Sequence, residues 1–348
     1  MKIAVINDTH FGIRSDSVSF HRYFEYFYEK EFFPYLEKHK IKHIIHQGDI
    51  VERRKFINYL SLDVFNKVFV VPCIERGITV DLIIGNHDTY YKNTNETNCA
   101  NLLIFHENFN VYTKPVDKSF NGITVGFVPW ICPDNYEESL KYLKTTKSQI
   151  LFGHFEIAGF KMYKNHKSDE GLSKAIFDRF DMVCSGHFHH RSDNGTIFYL
   201  GAPMEYNWND CDDERGFHIF DTKTRKLKYI KTKFKMFHKI YYDDVENNYT
   251  NYNVKSLKNK MVKLYVTGKK NLQMFDSLVD RIENQNPIEF NIIEDLSDFH
   301  SEEDENGVEI ENTLDFLMNH ITGMELDESE KNTLSKYMRE LYVEAVNE

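Results

Sequence analysis

No run in this chain approaches the roughly 18 uninterrupted apolar residues that a membrane-spanning helix needs, although 41% of its residues are hydrophobic. Residues 1–8 read as a buried strand and lack the apolar run and small-residue cleavage site of a signal peptide. Cysteine is scarce. Cys73, Cys99, Cys132, Cys184 and Cys211 are scattered, odd in number and without a C-x-x-C spacing. They form neither a disulfide framework nor a zinc knuckle, and a reducing cytoplasm is the expected setting. The phosphate-binding pattern G-x-x-x-x-G-K-[ST] is missing, so any ATP dependence must come from another chain.

A basic excess is missing as well. The net charge of −11 has the wrong sign for a nucleic-acid enzyme until it is located. Residues 295–348 hold 16 acidic and 3 basic residues, which leaves 1–294 at a net charge of +2. The acidity therefore belongs to the tail. A pair of divalent cations bound to the near-neutral body would turn one cleft positive, where phosphate would sit.

What is present is strand–helix alternation over the first two-thirds. Mostly apolar β runs cover 2–7, 42–47, 78–84, 123–128, 149–152, 181–185, 196–200 and 216–220, continuous as buried strands are. A helix is expected near 18–39, with an aromatic stripe of Phe20, Tyr23, Phe24, Phe27, Tyr28 and Phe32. Packing on a sheet explains that spacing better than a partner surface. A second helix is expected over 58–71. The pattern predicts an α/β fold, a two-sheet sandwich covered by helices, over 1–237. Residues 238–296 then read as a small α+β domain, with strands at 261–267 and 288–293 around a helix at 271–284. Residues 297–307 form a polar, acidic linker. Residues 308–348 carry two apolar helical stripes, read as a C-terminal helical hairpin; the long acidic linker favours docking on a partner over folding back.

Five segments directly follow apolar β runs and offer metal-ligand atoms: Asp8-Thr9-His10, Gly48-Asp49, Gly85-Asn86-His87-Asp88, Gly153-His154 and Gly186-His187-Phe188-His189. Loops at the carboxyl ends of strands are where α/β folds place their sites. Carboxylate, amide and imidazole together suit Mn²⁺, Fe²⁺ or Zn²⁺ better than the oxygen-preferring Ca²⁺ or Mg²⁺, and the lack of thiolate argues against a structural zinc. One bridging carboxylate with three further ligands on each side holds two metals about 3.5–4 Å apart. Singly these motifs are weak; all five in order, each at a strand end, point to a dimetal site.

This ordered set resembles the calcineurin-like metallophosphoesterase superfamily, and in detail its SbcD-type DNA-repair nucleases, those of phage recombination exonucleases included. The resemblance implies a metallophosphoesterase sandwich with a capping domain and a hydrolase of DNA phosphodiesters. It implies double-strand exonuclease and single-strand endonuclease action, and two divalent cations, Mn²⁺ first with Mg²⁺, Fe²⁺ or Zn²⁺ as alternatives. One metal would be held by Asp8, His10, Asp49 and His189, the other by Asp49, Asn86, His154 and His187. His87 would be the catalytic histidine, stabilising the transition state or protonating the leaving 3′ oxygen. Asp88 would orient His87, or simply cap a turn. The implied partners are an SMC-like coiled-coil ATPase, docked through the C-terminal helices, and a second copy of the chain, joined through N-terminal helices.

The chain departs from the pattern at Glu52, where such enzymes often carry histidine. Arg53, Arg54 and Lys55 beside the site, and Arg191 after the last motif, are candidates for DNA phosphates; a solvated surface is the plain alternative. Two rival readings remain. One is a protein phosphatase or cyclic-nucleotide phosphodiesterase, against which this chain has GDIVERR and GNHD where phosphatases have G-D-x-x-D-R-G and G-N-H-E. The other is a metal-free scaffold, although all seven ligands are present.

Overall fold

The computed structural model describes residues 1–163, 166–294 and 331. In chain order its strands begin with β1 (Lys2–Ile6), β2 (His43–His46), β3 (Thr79–Ile83), β4 (Phe109–Tyr112), β5 (Val116–Phe120), β6 (Ile123–Val128) and β7 (Ile150–Gly153). There follow β8 (Lys161–Tyr163), β9 (His166–Lys167), β10 (Met182–Ser185), β11 (Ser192–Asp193) and β12 (Ile197–Tyr199). The last are β13 (Gly216–Asp221), β14 (Lys226–Lys231), β15 (Phe237–Asp243), β16 (Met261–Gly268) and β17 (Glu289–Ile293).

Two six-stranded sheets carry the body, ordered β14-β13-β1-β2-β3-β4 and β11-β12-β10-β7-β6-β5. Strands β1 to β4 run parallel, as do β6, β7, β10 and β12, while β13, β14, β5 and β11 pair antiparallel. The side-chain period of two explains why the sheets stack. Ile3, Val5, Ile45 and Ile83 meet Val125, Phe127, Ile150, Phe152 and Cys184 of the second sheet in one apolar cluster. Their neighbours Ala4, Ile6, Ile44, Val80 and Leu82 point to the opposite face, as alternation along a strand requires.

That opposite face is covered by the aromatic helix. Phe20, Tyr23, Phe24, Phe27, Tyr28 and Phe32 are all buried within its cluster. Fully burying a Phe side chain is worth about 1.5–3 kcal/mol, so the stripe is core rather than a partner surface. Both helices on this face widen into π turns, Phe27–Phe32 and Asn66–Val70, and each then runs into a proline, Pro34 or Pro72. Proline lacks an N–H and crowds the preceding turn; a π bulge absorbs both defects.

A third sheet, β15-β16-β17, has its own core, in which Ile240, Tyr242, Leu264 and Val266 pack against Phe275, Leu278 and Ile282 of the helix Leu272–Glu283. Phe237 and Met261, where β15 and β16 begin, lie in the cluster of the body. The linker 297–307 and the C-terminal hairpin 308–348 lie outside the described residues, apart from position 331. Among the described residues no helix is long and apolar enough to cross a membrane, and all five cysteines are free.

Candidate metal centre

Parallel β1, β2 and β3 deliver the first three motifs to one end of their sheet, and parallel β7 and β10 deliver the other two to the same end of theirs. Gln47, just past β2, ties the two ends together. Its amide donates to the carbonyls of Gly153, 3.1 Å away, and Cys184, 2.6 Å away. The loops turn sharply. Asp8, His10, Asp49 and His187 take left-handed φ of 49°, 44°, 53° and 87°, a region that costs a non-glycine residue about 1–3 kcal/mol. Gly48, at φ 91°, leaves room for the neighbouring loop, since a Cβ there would sit 2.5 Å from the Gly85 nitrogen.

These turns bring all seven expected ligands together. Asp8, Asp49, His10 and His154 are buried at the floor; Asn86, His187 and His189 are half-buried at the mouth. His10 Nε2 lies 3.0 Å from His189 Nε2 and 3.8 Å from Asp49 Oδ2. His154 Nε2 lies 3.3 Å from Asp49 Oδ2 and 2.8 Å from Asn86 Oδ1. His187 Nδ1 is 3.0 Å from the same Asn86 oxygen. Asp8, His10 and His189 form one group of converging donor atoms, and Asp49, His154 and His187 another; Asp49 also groups with His10 and His87. Metal–ligand bonds of about 2.0–2.2 Å put neighbouring donors roughly 3–3.5 Å apart, so the spacing fits cations, with Asp49 between the two groups.

The electrostatics favour the same reading. Burial opposes charge on Asp49, yet His154, His87 and His10 hold its carboxyl well below the usual range. Asp8 moves the other way: burial lifts it, against His154, and the Asp49 charge adds to the lift. Burial would depress His10, but Glu52, then Asp49 and Asp8, outweigh it and hold the ring at about 9. His154 reaches about 9 against burial through Asp49 and Asp8. His187, lowered to about 3 by burial and by His154, is neutral and has a lone pair to offer. Without cations, protons on two imidazoles neutralise the carboxylates.

His87 sits at the rim, its ring 4.8 Å from that of His10 in edge-on contact. Its Nδ1 is 2.7 Å from the main-chain oxygen of Glu52, which leaves Nε2 outside that bond. Asp88 does not orient it. The Asp88 carboxylate is buried and accepts from the backbone N–H groups of Asp49 (2.8 Å), Ile50 (2.7 Å) and Gly85 (2.8 Å). It therefore clamps the loops after β2 and β3 together, the capping alternative. Burial and Asp49 push it up to about 6 against those donors.

The basic candidates divide. Arg53, Arg54 and Lys55 line one shallow cavity with Phe56, Tyr90 and Leu102. Arg53 pairs with Asp16, and Arg54 packs 5.3 Å over the Trp130 ring; Lys55 is exposed. Arg191 lies 4.4 Å over Tyr229 and 3.8 Å from Glu214.

Other supports lie outside the motifs. Tyr206 donates its hydroxyl to the Asp8 carbonyl at 2.7 Å, and the His189 carbonyl accepts from buried Arg215. No local pattern marks either residue, because both act on backbone from far along the chain. His46, two residues before Gly48, faces the Thr9 hydroxyl at 3.1 Å.

This fold and this cluster define a phosphoesterase built around metal ligands. Residues 1–191 match the model of the calcineurin-like phosphoesterase family, and the chain belongs to that family. It is 30% identical to exonuclease subunit 1 of Enterobacteria phage T4, over 99% of both chains. It is also 21% identical to the SbcD component of the nuclease SbcCD of Staphylococcus saprophyticus, over 86% of this chain and 88% of that one.

Proposed function

We propose that this chain is the DNA-cutting subunit of a recombination or repair nuclease, hydrolysing phosphodiester bonds with two divalent cations, Mn²⁺ foremost. The convergence of Asp8, His10, Asp49, Asn86, His154, His187 and His189 carries this reading, and full-length likeness to one component of a phage exonuclease points it toward DNA. When bound, the cations supply Lewis-acid polarisation of the phosphate and an activated water. The chain's own residues do the rest. Asp49 places its carboxylate between both groups of ligands. His87, anchored through Nδ1, directs Nε2 to the rim, where it can stabilise the transition state or protonate the departing 3′ oxygen.

The relatives are named as subunits, which supports a partner. We assign partner docking to 308–348 and the partner to the coiled-coil ATPase class. We assign the homodimer contact to the N-terminal helices, on exposed side chains outside the aromatic stripe. The aromatic stripe of the first helix lies in the core, whereas Phe56, Tyr59, Leu60, Leu102 and Phe105 are exposed, Tyr59 by 89% and Phe105 by 81%. Of these, Phe56 and Leu102 line one cavity, and exposed apolar side chains that lie together mark an interface.

The test is release of product from linear duplex DNA, a phosphopeptide and bis-para-nitrophenyl phosphate in Mn²⁺. Degradation of DNA, lost in Asn86→Ala and His187→Ala, supports the proposal. Phosphopeptide as the preferred substrate would move the chain to the phosphatases. Deleting 308–348 should abolish capture of the ATPase partner and spare cleavage of short DNA.

A further inference from the structure

Two histidines of the centre are held by the same device, with Nδ1 bound to a main-chain carbonyl. His154 gives Nδ1 to the Gln47 carbonyl at 2.8 Å, and His87 gives Nδ1 to the Glu52 carbonyl at 2.7 Å. His10 differs. Its Nδ1 meets a full carboxylate, Glu52 Oε2, at 2.8 Å. A neutral imidazole has one N–H, and a carboxylate 2.8 Å from Nδ1 favours the proton on that nitrogen and the lone pair on Nε2. That lone pair is the one aimed at His189 and Asp49.

Glu52 thus touches two different parts of the machinery. Its side chain holds a ligand of the Asp8–His10–His189 group, and its main-chain oxygen holds the histidine proposed to handle the leaving oxygen. In the other group, Asn86, His154 and His187, the imidazole of His154 leans on a neutral carbonyl instead. A carboxylate behind an imidazole fixes its tautomer and makes it a stronger ligand.

The geometry points to Glu52 as a positioning residue that makes the two cation sites unequal, strengthening the Asp8–His10–Asp49–His189 site through His10 while its backbone aims His87. This rests on the two-metal reading above. The side chain is 32% exposed, so replacing it opens no core cavity and leaves the fold in place.

The experiment is a Mn²⁺ titration of the full chain, following free Mn²⁺ by its electron paramagnetic resonance signal, with thermal melting as a check on folding. Wild type should bind two ions in separable steps. Glu52→Ala should weaken one step about ten- to a hundredfold, the usual effect of removing such a partner, and leave the other step unchanged. Glu52→Gln, which keeps an acceptor at Nδ1, should restore most of the affinity; should the alanine variant melt early, Glu52→Ser takes its place, with the same loss in one step expected. Both affinities within twofold of wild type in Glu52→Ala, or in Glu52→Ser where alanine melts early, would overturn the role. So would an equal weakening of both steps. Absence of Mn²⁺ binding by the wild type would instead overturn the two-metal reading, and this inference with it.

Discussion

Two clusters of carboxylate and histidine, one inside the sandwich and one at its strand ends, differ in one respect. In the first, inside the sandwich, Asp81 is fully buried and receives His43 Nε2 at 2.5 Å, the Tyr112 hydroxyl at 2.8 Å, Asn110 Nδ2 at 3.2 Å and the Lys118 ammonium. Burial would lift its carboxyl, but the hydrogen bonds from His43 and Lys118 hold it below the usual range. Donors and acceptors are matched, and the cluster is closed. At the strand ends the polarity is different. Ring nitrogens face each other, and Asn86 Oδ1 faces two more. Without cations, only extra protons on His10 and His154 keep these lone pairs from facing one another. A buried polar cluster that satisfies itself is structure; one whose lone pairs converge is a place for cations.

The sharpest way to break this comparison is to change His87, which lies beside the open cluster but is not assigned to it as a ligand. His87→Ala should lower DNA hydrolysis by about 10²–10⁴-fold while the Mn²⁺ stoichiometry stays at its wild-type value. Lost metal would make His87 a ligand. The closed cluster should behave oppositely. Asp81→Ala strands the half-buried Lys118 ammonium and should destabilise the fold by about 3 kcal/mol in urea unfolding, the low end because Lys118 is 26% exposed and can rehydrate. Turnover of bis-para-nitrophenyl phosphate by the folded fraction should not change.

The two clusters also separate in pH. His10 and His154 stand at about 9 in the metal-free fold, above the ordinary 6.5. Their stabilisation of the metal-free protein is therefore full below pH 6.5 and lost as the pH rises to about 9. Cation binding must displace those protons, so Mn²⁺ affinity should rise over the same window. Thermal melting with and without Mn²⁺ across pH 6 to 9 should diverge; parallel curves would contradict the assignment. The smallest effect belongs to the rim. Lys55→Ala should reduce the salt dependence of DNA binding by about one unit of log–log slope, with no effect on the small phosphodiester.

The open cluster is legible in sequence because each ligand follows an apolar strand and a sharp turn, and chemistry needs those residue types there. The sandwich is legible for the same reason, from strands buried on both faces. What escapes are elements without that signature. Phe109–Tyr112, Val116–Phe120 and Lys226–Lys231 lie toward or at sheet edges, where one flank meets solvent and apolar continuity fades. The alternation KLKYIK of the last was nonetheless a readable period of two. Asp88 is legible only in part: its capping of the Gly85 turn is local, but its bonds to the Asp49 and Ile50 N–H groups join loops brought near only by folding. Glu52 shows in the sequence as a departure from the pattern, whereas its contacts with His10 and His87 appear only in the fold.

The central claim is that Asp49 lies between two cations. Electron paramagnetic resonance of the chain loaded with Mn²⁺ tests it most directly, since two ions bridged by one carboxylate are exchange-coupled. The account predicts a coupled dimanganese spectrum at two ions per chain, collapsing to an isolated-ion signal in Asn86→Ala. An uncoupled spectrum at full loading, or saturation at a single ion, would contradict it.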